Sequence, residues 1–321
     1  MKTLVTGAFP LTTEFREKME QFGMEIVVHP DERALVDCPE DYEVVICNGL
    51  FLYNDISLFN KLKIIQLTSV GYDRVPMDYA EEHHIKVFNA GDAYSIPMAE
   101  FAISGILQFY KQAPFFYKNK EEHQWEKHRN LRELYEKNVL IVGTGNVGCE
   151  IAKRLKAFGC TVTGLNRTEK QISDFDTILS LDKLNSVASA ADIIILSIAL
   201  TETTEHLIND DVFQQMKEDA VLVNISRGAI VDENALLSWL QKHPYAGAII
   251  DVYEAEPLKN NSPLWDCSNA VITPHNSFVG ENNKTRLERV FLTHFRDVFN
   301  YERKRWRDCY LDSNTKVVNT F

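Results

Sequence analysis

Short apolar, β-branched runs alternate with polar stretches of helical period from the first residues of this chain. Thr3 to Thr6, Glu25 to Val28, Val44 to Cys47 and Ile64 to Leu67 are too short for helices and rich in Val, Ile and Leu, so each predicts a strand. Thr12 to Phe22, between the first two, predicts a helix. That is the βα rhythm of a parallel sheet. A long helix is expected from near Pro97 through Glu100, Phe101, Ile103, Leu107 and Tyr110 to about Pro114, which cannot donate a backbone hydrogen bond, and it reads as a bridge between domains. After a charged segment expected to be exposed, Lys118 to Lys137, the rhythm restarts at Val139 to Val142. Further strand candidates are Thr161 to Leu165, Ile193 to Ile198, Ala220 to Asn224, Ala246 to Ile250 and Ala270 to Thr273. From Glu281 to about Tyr301, Leu287, Val290, Phe291, Phe295, Val298 and Phe299 recur at helical spacing, so the chain is expected to return as a helix.

Size and charge narrow the picture. At 321 residues the chain is long for one domain and short for three, which predicts two. Its net charge of -12, from 46 acidic and 34 basic residues without a polybasic block, argues against a nucleic-acid partner. The six cysteines, at 38, 47, 149, 160, 267 and 309, show no C-x-x-C spacing and no disulfide-scaffold density, and the N-terminus lacks an apolar leader. Ile193 to Leu200, the most apolar run, is far too short to span a membrane. These features predict a cytoplasmic protein with no membrane partner.

One turn carries a phosphate-binding pattern. Gly143-Thr144-Gly145-Asn146-Val147-Gly148 directly follows the strand candidate Val139 to Val142 and opens a segment with Val147, Ile151, Leu155 and Phe158 on one helical face. Glycines in that context let the backbone approach a pyrophosphate at a helix N-terminus, which predicts dinucleotide binding; the alternative is a tight turn with no ligand. The second strand ends in Asn166, Arg167 and Thr168 where an NAD site commonly has an acid. An uncharged Asn beside an Arg tolerates a 2′-phosphate, so NADP is preferred; if Arg167 is only a solvated charge and Asn166 bonds a ribose hydroxyl, the cofactor is NAD.

Three later segments each place a chemically active side chain just after an apolar run: Ser226-Arg227-Gly228, Asp251 to Pro257, and Thr273-Pro274-His275. Ligands of open α/β sheets bind beyond the carboxyl ends of the strands, so one crevice can collect all three. Reduction of a carbonyl by a nicotinamide needs a proton and a grip on the substrate. A histidine, with an ordinary pKa of about 6.5, suits the first and an arginine fork the second. His275 would donate the proton, Glu256 would pair with it, and Arg227 would hold a carboxylate and its neighbouring carbonyl. Taken singly, each residue also fits a cap, a turn or a structural ion pair.

With those segments the chain resembles the D-isomer-specific 2-hydroxyacid dehydrogenase family over nearly its full length, most closely in pattern its glyoxylate/hydroxypyruvate reductase-like members. The resemblance rests on the glycine turn, Asn224 to Gly228 with Val231-Asp232-Glu233 behind it, Asp251 to Pro257, Pro274-His275, and the spacing from Arg227 to Glu256 to His275. It implies an α/β fold of two Rossmann/flavodoxin-like doubly wound parallel-sheet domains with a cleft between them. A discontinuous substrate domain (1–98 plus 282–321) would accompany a dinucleotide-binding domain (99–281). It further implies that Arg227 binds and polarises a 2-oxo acid and that Glu256 and His275 form the acid-base pair. Gly143, Gly145, Asn146, Val147, Gly148, Asn166, Arg167, Thr168, Ala199, Thr204, Ser226 and Asp251 would contact the cofactor, Asp251 at the nicotinamide carboxamide. Val70 and Gly71, in Ser69-Val70-Gly71-Tyr72-Asp73, would receive the substrate carboxylate, although that stretch also fits a simple turn. No metal is implied. A homodimer is, with the segment around Trp125 as one contact unless that Trp anchors a core.

Two departures from the family pattern stand out. Ser197-Ile198-Ala199-Leu200-Thr201 replaces a His-x-Pro-x-Thr pattern, and Asn276-Ser277 after His275 is unusually polar. The loop Cys47 to Tyr53 lacks the cation that phosphoglycerate-using relatives carry, and the chain ends without a regulatory extension, which disfavours a phosphorylated substrate. Leu50, Phe51, Tyr53, Tyr72 and Tyr94 either wall a pocket for an uncharged tail or only pack the small domain. The expected function is therefore NADPH-dependent reduction of a small 2-oxo acid. The alternative is a dinucleotide-sensing regulator on the same scaffold.

Overall fold

A computed structural model describes residues 1–298; the expected helical positions Phe299 and Tyr301 lie outside them. The described residues form two compact units, one of residues 1–93 joined by residues 281–298, the other of residues 94–280.

In the first unit, β1 (Lys2–Thr6), α1 (Thr13–Gln21), β2 (Glu25–His29), β3 (Val44–Cys47), β4 (Ile64–Leu67), α2 (Met77–Glu82) and β5 (Lys86–Phe88) follow in chain order. Their parallel sheet has the order β2-β1-β3-β4-β5. β3 and β4 are buried at every position; β3 reads as a continuous apolar run, while in β4 the buried Gln66 donates to the Leu67 and Asn89 oxygens. Thr12 caps α1 by accepting from the Phe15 amide, and Phe15 and Met19 form its buried face. The returning helix, described over 283–298, buries Leu287, Val290, Phe291, Phe295 and Val298 in this unit. The Phe291 ring lies 5.0 Å from that of Phe9 and 6.4 Å from that of Phe15. Each such ring contributes about 1.5–3 kcal/mol by burial, so the returning segment is part of this core rather than an appendage.

The second unit begins with α3 (Ser95–Tyr110) and α4 (Ala113–Glu121). The long helix stops at Tyr110, ahead of the expected limit at Pro114. Gln112 turns the chain in the left-handed region, and Pro114 then stands in the first turn of α4, where its missing N–H costs nothing. Next come β6 (Asn138–Val142), α5 (Asn146–Ala157), β7 (Thr161–Asn166), β8 (Thr177–Ser180), α6 (Leu184–Ala188), β9 (Ile193–Leu196), α7 (Asp210–Gln215), β10 (Val221–Asn224), α8 (Glu233–Lys242), β11 (Gly247–Ile250) and β12 (Ala270–Ile272). All seven strands are parallel in the order β12-β11-β10-β9-β6-β7-β8, a doubly wound sheet with its switch point between β6 and β9. Both sheets are thus of the expected α/β class.

Two strands, β5 and β8, are absent from the sequence expectation. Each lies at a sheet edge, is only three or four residues long and is partly exposed, so its hydrophobic signal is weak. β9 stops at Leu196, short of the expected Ile198, because its neighbour β6 leaves the sheet at Gly143. The five described cysteines are free, and no described helix is long and apolar enough to cross a membrane.

Candidate active site

The glycine turn lies at the switch point of the second unit, between the ends of β6 and β9. Gly143 adopts a φ of +101°, and a Cβ there would stand 2.5 Å from the Ser197 carbonyl oxygen. A Cβ on Gly148 would stand 2.1 Å from the Gly143 oxygen, so these two glycines are required by the turn itself. Gly145 differs: a Cβ built there meets nothing within 4 Å. It is exposed and heads α5 without a side-chain cap, so the first-turn N–H groups at Asn146 and Val147 are left to a ligand. The residues present therefore fit a pyrophosphate.

Asn166, the last residue of β7, is tied to this turn. Its Nδ2 donates to Thr144 Oγ1 (2.9 Å), while its Oδ1 accepts from the amides of Thr168 (3.0 Å) and Glu169 (2.6 Å). Arg167 and Thr168 are exposed beyond it. After β9, Ser197 Oγ donates to the Gly143 oxygen at 2.8 Å, which gives the serine in the first departure a turn-bracing task. Ala199 is exposed. Thr204 is buried, its hydroxyl donating to the Ala199 oxygen (2.8 Å) and accepting from the Thr201 amide (2.7 Å). Ser226 is buried likewise and donates to the Leu196 oxygen at 2.8 Å. The side chains of Thr204 and Ser226 shape loops at the strand ends.

The loops after β10, β11 and β12 are linked to one another. A Cβ on Gly228 would lie 1.8 Å from the carbonyl carbon of Tyr253, so only glycine lets the segment after Arg227 press against the segment leading to Glu256. Arg227 is half-buried, and its Nη1 donates to the Ser226 oxygen at 2.9 Å. Glu256 accepts from the Tyr253 amide through Oε1 (3.1 Å), and its Oε2 lies 2.8 Å from His275 Nδ1. A bond to a carboxylate places the hydrogen on Nδ1, which leaves Nε2 as the working nitrogen. His275 itself has a φ of +51°. Its amide, bonded to the Asp251 oxygen at 2.7 Å, helps hold that uncommon conformation in place.

Asp251, expected at the nicotinamide carboxamide, is enclosed at 0% exposure. Its Oδ1 accepts from Thr273 Oγ1 (2.7 Å) and the Asn276 amide (2.8 Å), its Oδ2 from the Ser277 amide (2.8 Å). The carboxylate braces the His275 loop from beneath. The polar pair Asn276-Ser277 serves this brace through backbone amides, which any residue type except proline would supply.

A second set of contacts is absent from the sequence expectation. The Glu233 amide donates to Glu254 Oε1 (3.0 Å), and the Glu254 amide donates to Glu233 Oε1 (2.7 Å). This reciprocal clasp ties the first turn of α8 to the segment carrying Glu256. His206 Nε2 lies 3.2 Å from Glu254 Oε1. Burial raises the Glu233 carboxyl above its usual range, against the lowering effect of the bond it accepts from the Glu254 amide. Burial also pushes the Tyr253 phenol up to about 12. Val231-Asp232-Glu233 is visible in the sequence, but nothing in its spacing points to Glu254.

In the first unit, the loop after β4 exposes Val70 and Tyr72. Among the described residues, no partner takes the N–H groups of Val70 and Gly71, while Asn89 Nδ2 fixes the loop by donating to the Val70 oxygen at 2.8 Å. Leu50 and Phe51 are core residues, Phe51 packing edge-on against Phe59, so for them the packing alternative holds. Tyr53 is exposed.

A turn of this form at the switch point, with a histidine-carboxylate pair beyond the neighbouring strands, agrees with comparison to known proteins. The sequence profile of the D-isomer specific 2-hydroxyacid dehydrogenase NAD binding domain matches residues 103–277. The chain belongs to the D-isomer specific 2-hydroxyacid dehydrogenase family. It is 32% identical to D-3-phosphoglycerate dehydrogenase of Methanocaldococcus jannaschii over 86% of this chain and 53% of that one. It thus spans about half the length of that relative. It is 30% identical to glyoxylate reductase of Thermococcus kodakarensis, covering 85% of this chain and 86% of the relative. Among solved structures it resembles the NADPH-dependent glyoxylate/hydroxypyruvate reductase of Sinorhizobium meliloti, with a TM-score of 0.76 and 26% identity over 91% of each chain.

Proposed function

We propose that this family member is an NAD(P)-dependent D-2-hydroxyacid dehydrogenase working as an NADPH-dependent reductase of a small 2-oxo acid such as glyoxylate or hydroxypyruvate. The carrying observation is the 2.8 Å pair of His275 Nδ1 and Glu256 beyond the strand ends of the sheet that holds the glycine cradle. When bound, the nicotinamide supplies the hydride. His275 Nε2 delivers the proton to the substrate oxygen in reduction and takes it back in oxidation, and Glu256 holds the ring in that tautomer. Arg227 grips the carboxylate and the carbonyl oxygen with its fork of donors. The free amides of Val70 and Gly71 are further donors for the substrate carboxylate.

The test is loss of reduced-cofactor absorbance with NADPH and NADH in parallel across glyoxylate, hydroxypyruvate, pyruvate and branched 2-oxo acids. Turnover is expected with NADPH. Arg167→Ala should narrow the NADPH-to-NADH ratio in kcat/KM by about tenfold or more, because a hydrogen bond to a charged group is worth about 1.5–3 kcal/mol. A native preference for NADH would refute the NADP assignment, and no turnover on any of these acids would refute the reductase.

Assembly follows the same reading. Trp125 is 96% exposed, so it anchors no core of its own unit, and Phe116 and Tyr117 are exposed nearby. A homodimer using this segment accounts for them. In sedimentation velocity the native protein should run as a dimer and Trp125→Glu should shift it toward monomer; a dimer of unchanged stability in the variant would exclude this surface.

A further inference from the structure

The first unit has a strand-order switch of its own. Its order β2-β1-β3-β4-β5 sends successive connections in opposite directions from β1 and β3, and an open sheet of this order takes ligands in the crevice beyond the carboxyl ends of those two strands. In this chain a side chain fills that position. Glu32 Oε1 accepts from the hydroxyl of Thr6, the last residue of β1, and from the amide of Asn48, the first residue after β3, both at 2.6 Å. Its Oε2 accepts from the Gly49 amide at 2.7 Å. Two successive backbone amides and a buried hydroxyl converging on one point form an anion cradle, and the chain's own carboxylate occupies it.

Glu32 is held there by more than its own bonds. Asn54, itself buried, donates to the main-chain oxygens of Glu32 (3.2 Å) and Ala34 (3.1 Å) and accepts from the Val36 amide (3.0 Å), which fastens the whole stretch after β2. On the other side, Gly7 lies so close to Pro30 that a Cβ would stand 2.1 Å from the Pro30 oxygen. The plug is therefore built into the loop. Around it the exposed side chains Leu52 and Tyr53 offer apolar surface.

We propose that Glu32 is a specificity-determining residue: its carboxylate fills the cradle where a second anionic group of a ligand would sit. The protein then accepts 2-oxo acids whose only anion is the C1 carboxylate and rejects those with a phosphoester tail. This rests on the 2-oxo acid reading above. A phosphate brought to the filled cradle meets a like charge and finds its donors taken, a juxtaposition that costs several kcal/mol. Without the carboxylate, the Thr6 hydroxyl and the Asn48 and Gly49 amides lose their partner, and the stem of Arg74 passes close to Gly49. An anion then has both donors and a nearby cation.

The experiment compares hydroxypyruvate with its phosphate ester for the native protein, Glu32→Gln, which keeps the shape and removes the charge, and Glu32→Ala. The native protein should favour hydroxypyruvate by about 100-fold or more in kcat/KM. The ratio should narrow by about tenfold or more in Glu32→Ala, through the KM of the ester, with a smaller change in the same direction in Glu32→Gln. A second arm needs no turnover: inorganic phosphate should raise the melting temperature of Glu32→Ala and leave the native protein unmoved. Equal use of both substrates by the native protein overturns the proposal, as does a folded variant whose ratio and phosphate response match the native ones. If the native protein turns over no 2-oxo acid, the reductase reading fails and the phosphate arm alone decides the role of Glu32. Should Glu32→Ala not fold, both arms are read on Glu32→Gln against the native protein.

Discussion

His275→Ala should lower turnover in both directions by about 10²–10⁴-fold while leaving the dissociation constant for NADPH within about threefold of the native value. The split follows from placement. The His275 ring is paired with Glu256 beyond β11 and β12, whereas the cradle for the pyrophosphate is built from Gly143 to Gly148 at the end of β6. Losing the imidazole removes the proton carrier and spares the phosphate donors. The native pH profiles carry the same signature. Reduction needs the protonated ring and falls on the alkaline side; oxidation needs the neutral ring and falls on the acid side. In His275→Ala both limbs should disappear together. A variant that keeps a tenth of native turnover, or native limbs that run in the same direction, would remove His275 from the mechanism.

Asp251→Ala should destabilise the protein by about 3–5 kcal/mol, read as a lowered denaturant midpoint at unchanged slope, and abolish turnover in whatever fraction still folds. The side chain is wholly enclosed and satisfies the Thr273 hydroxyl and the amides of Asn276 and Ser277. Truncation strands three donors, the Ser277 amide buried and the Thr273 hydroxyl and Asn276 amide partly buried, at up to about 1–3 kcal/mol each, with some recovery through relaxation or entry of water. It also frees the segment that holds His275 at its left-handed φ, so activity should fall even at temperatures where the fold survives. Asp251→Asn keeps the shape but turns an NH₂ group toward at least one of these donors, and should cost less stability than Ala. If Asp251→Ala unfolds at the native midpoint, the brace is not what holds the loop.

Much of this was legible in the sequence because it is local. A strand buried on both faces, such as β10, announces itself as an unbroken apolar run, and the glycine turn is recognisable because its strand, turn and helix are contiguous. The pairing of Glu256 with His275 required only that two neighbouring strands end at the same level. What the sequence could not convey is side-chain direction. The position of Asp251 at the end of β11 is plain, yet its inward turn depends on Thr273, Asn276 and Ser277 arriving from the next connection. Glu32 carries no pattern at all, because its partners come from the ends of two other strands. Glu233 and Glu254 are similar: two acids that read as solvated charges become a clasp because each carboxylate meets the other's backbone amide. Leu50 and Phe51 show the converse, apolar loop residues whose sequence fits either a pocket wall or a core and which only packing assigns.

The His275-Glu256 pair, the Asp251 brace beneath it and the Glu233-Glu254 clasp beside it all fall between Tyr94 and Gly280. One uninterrupted stretch of the chain thus carries the proposed proton-handling pair together with its supports. Substitutions in the flanking stretches alter none of these residues, so the loops around Glu32 and Val70 can change in sequence while the His275-Glu256 pair and its braces keep theirs.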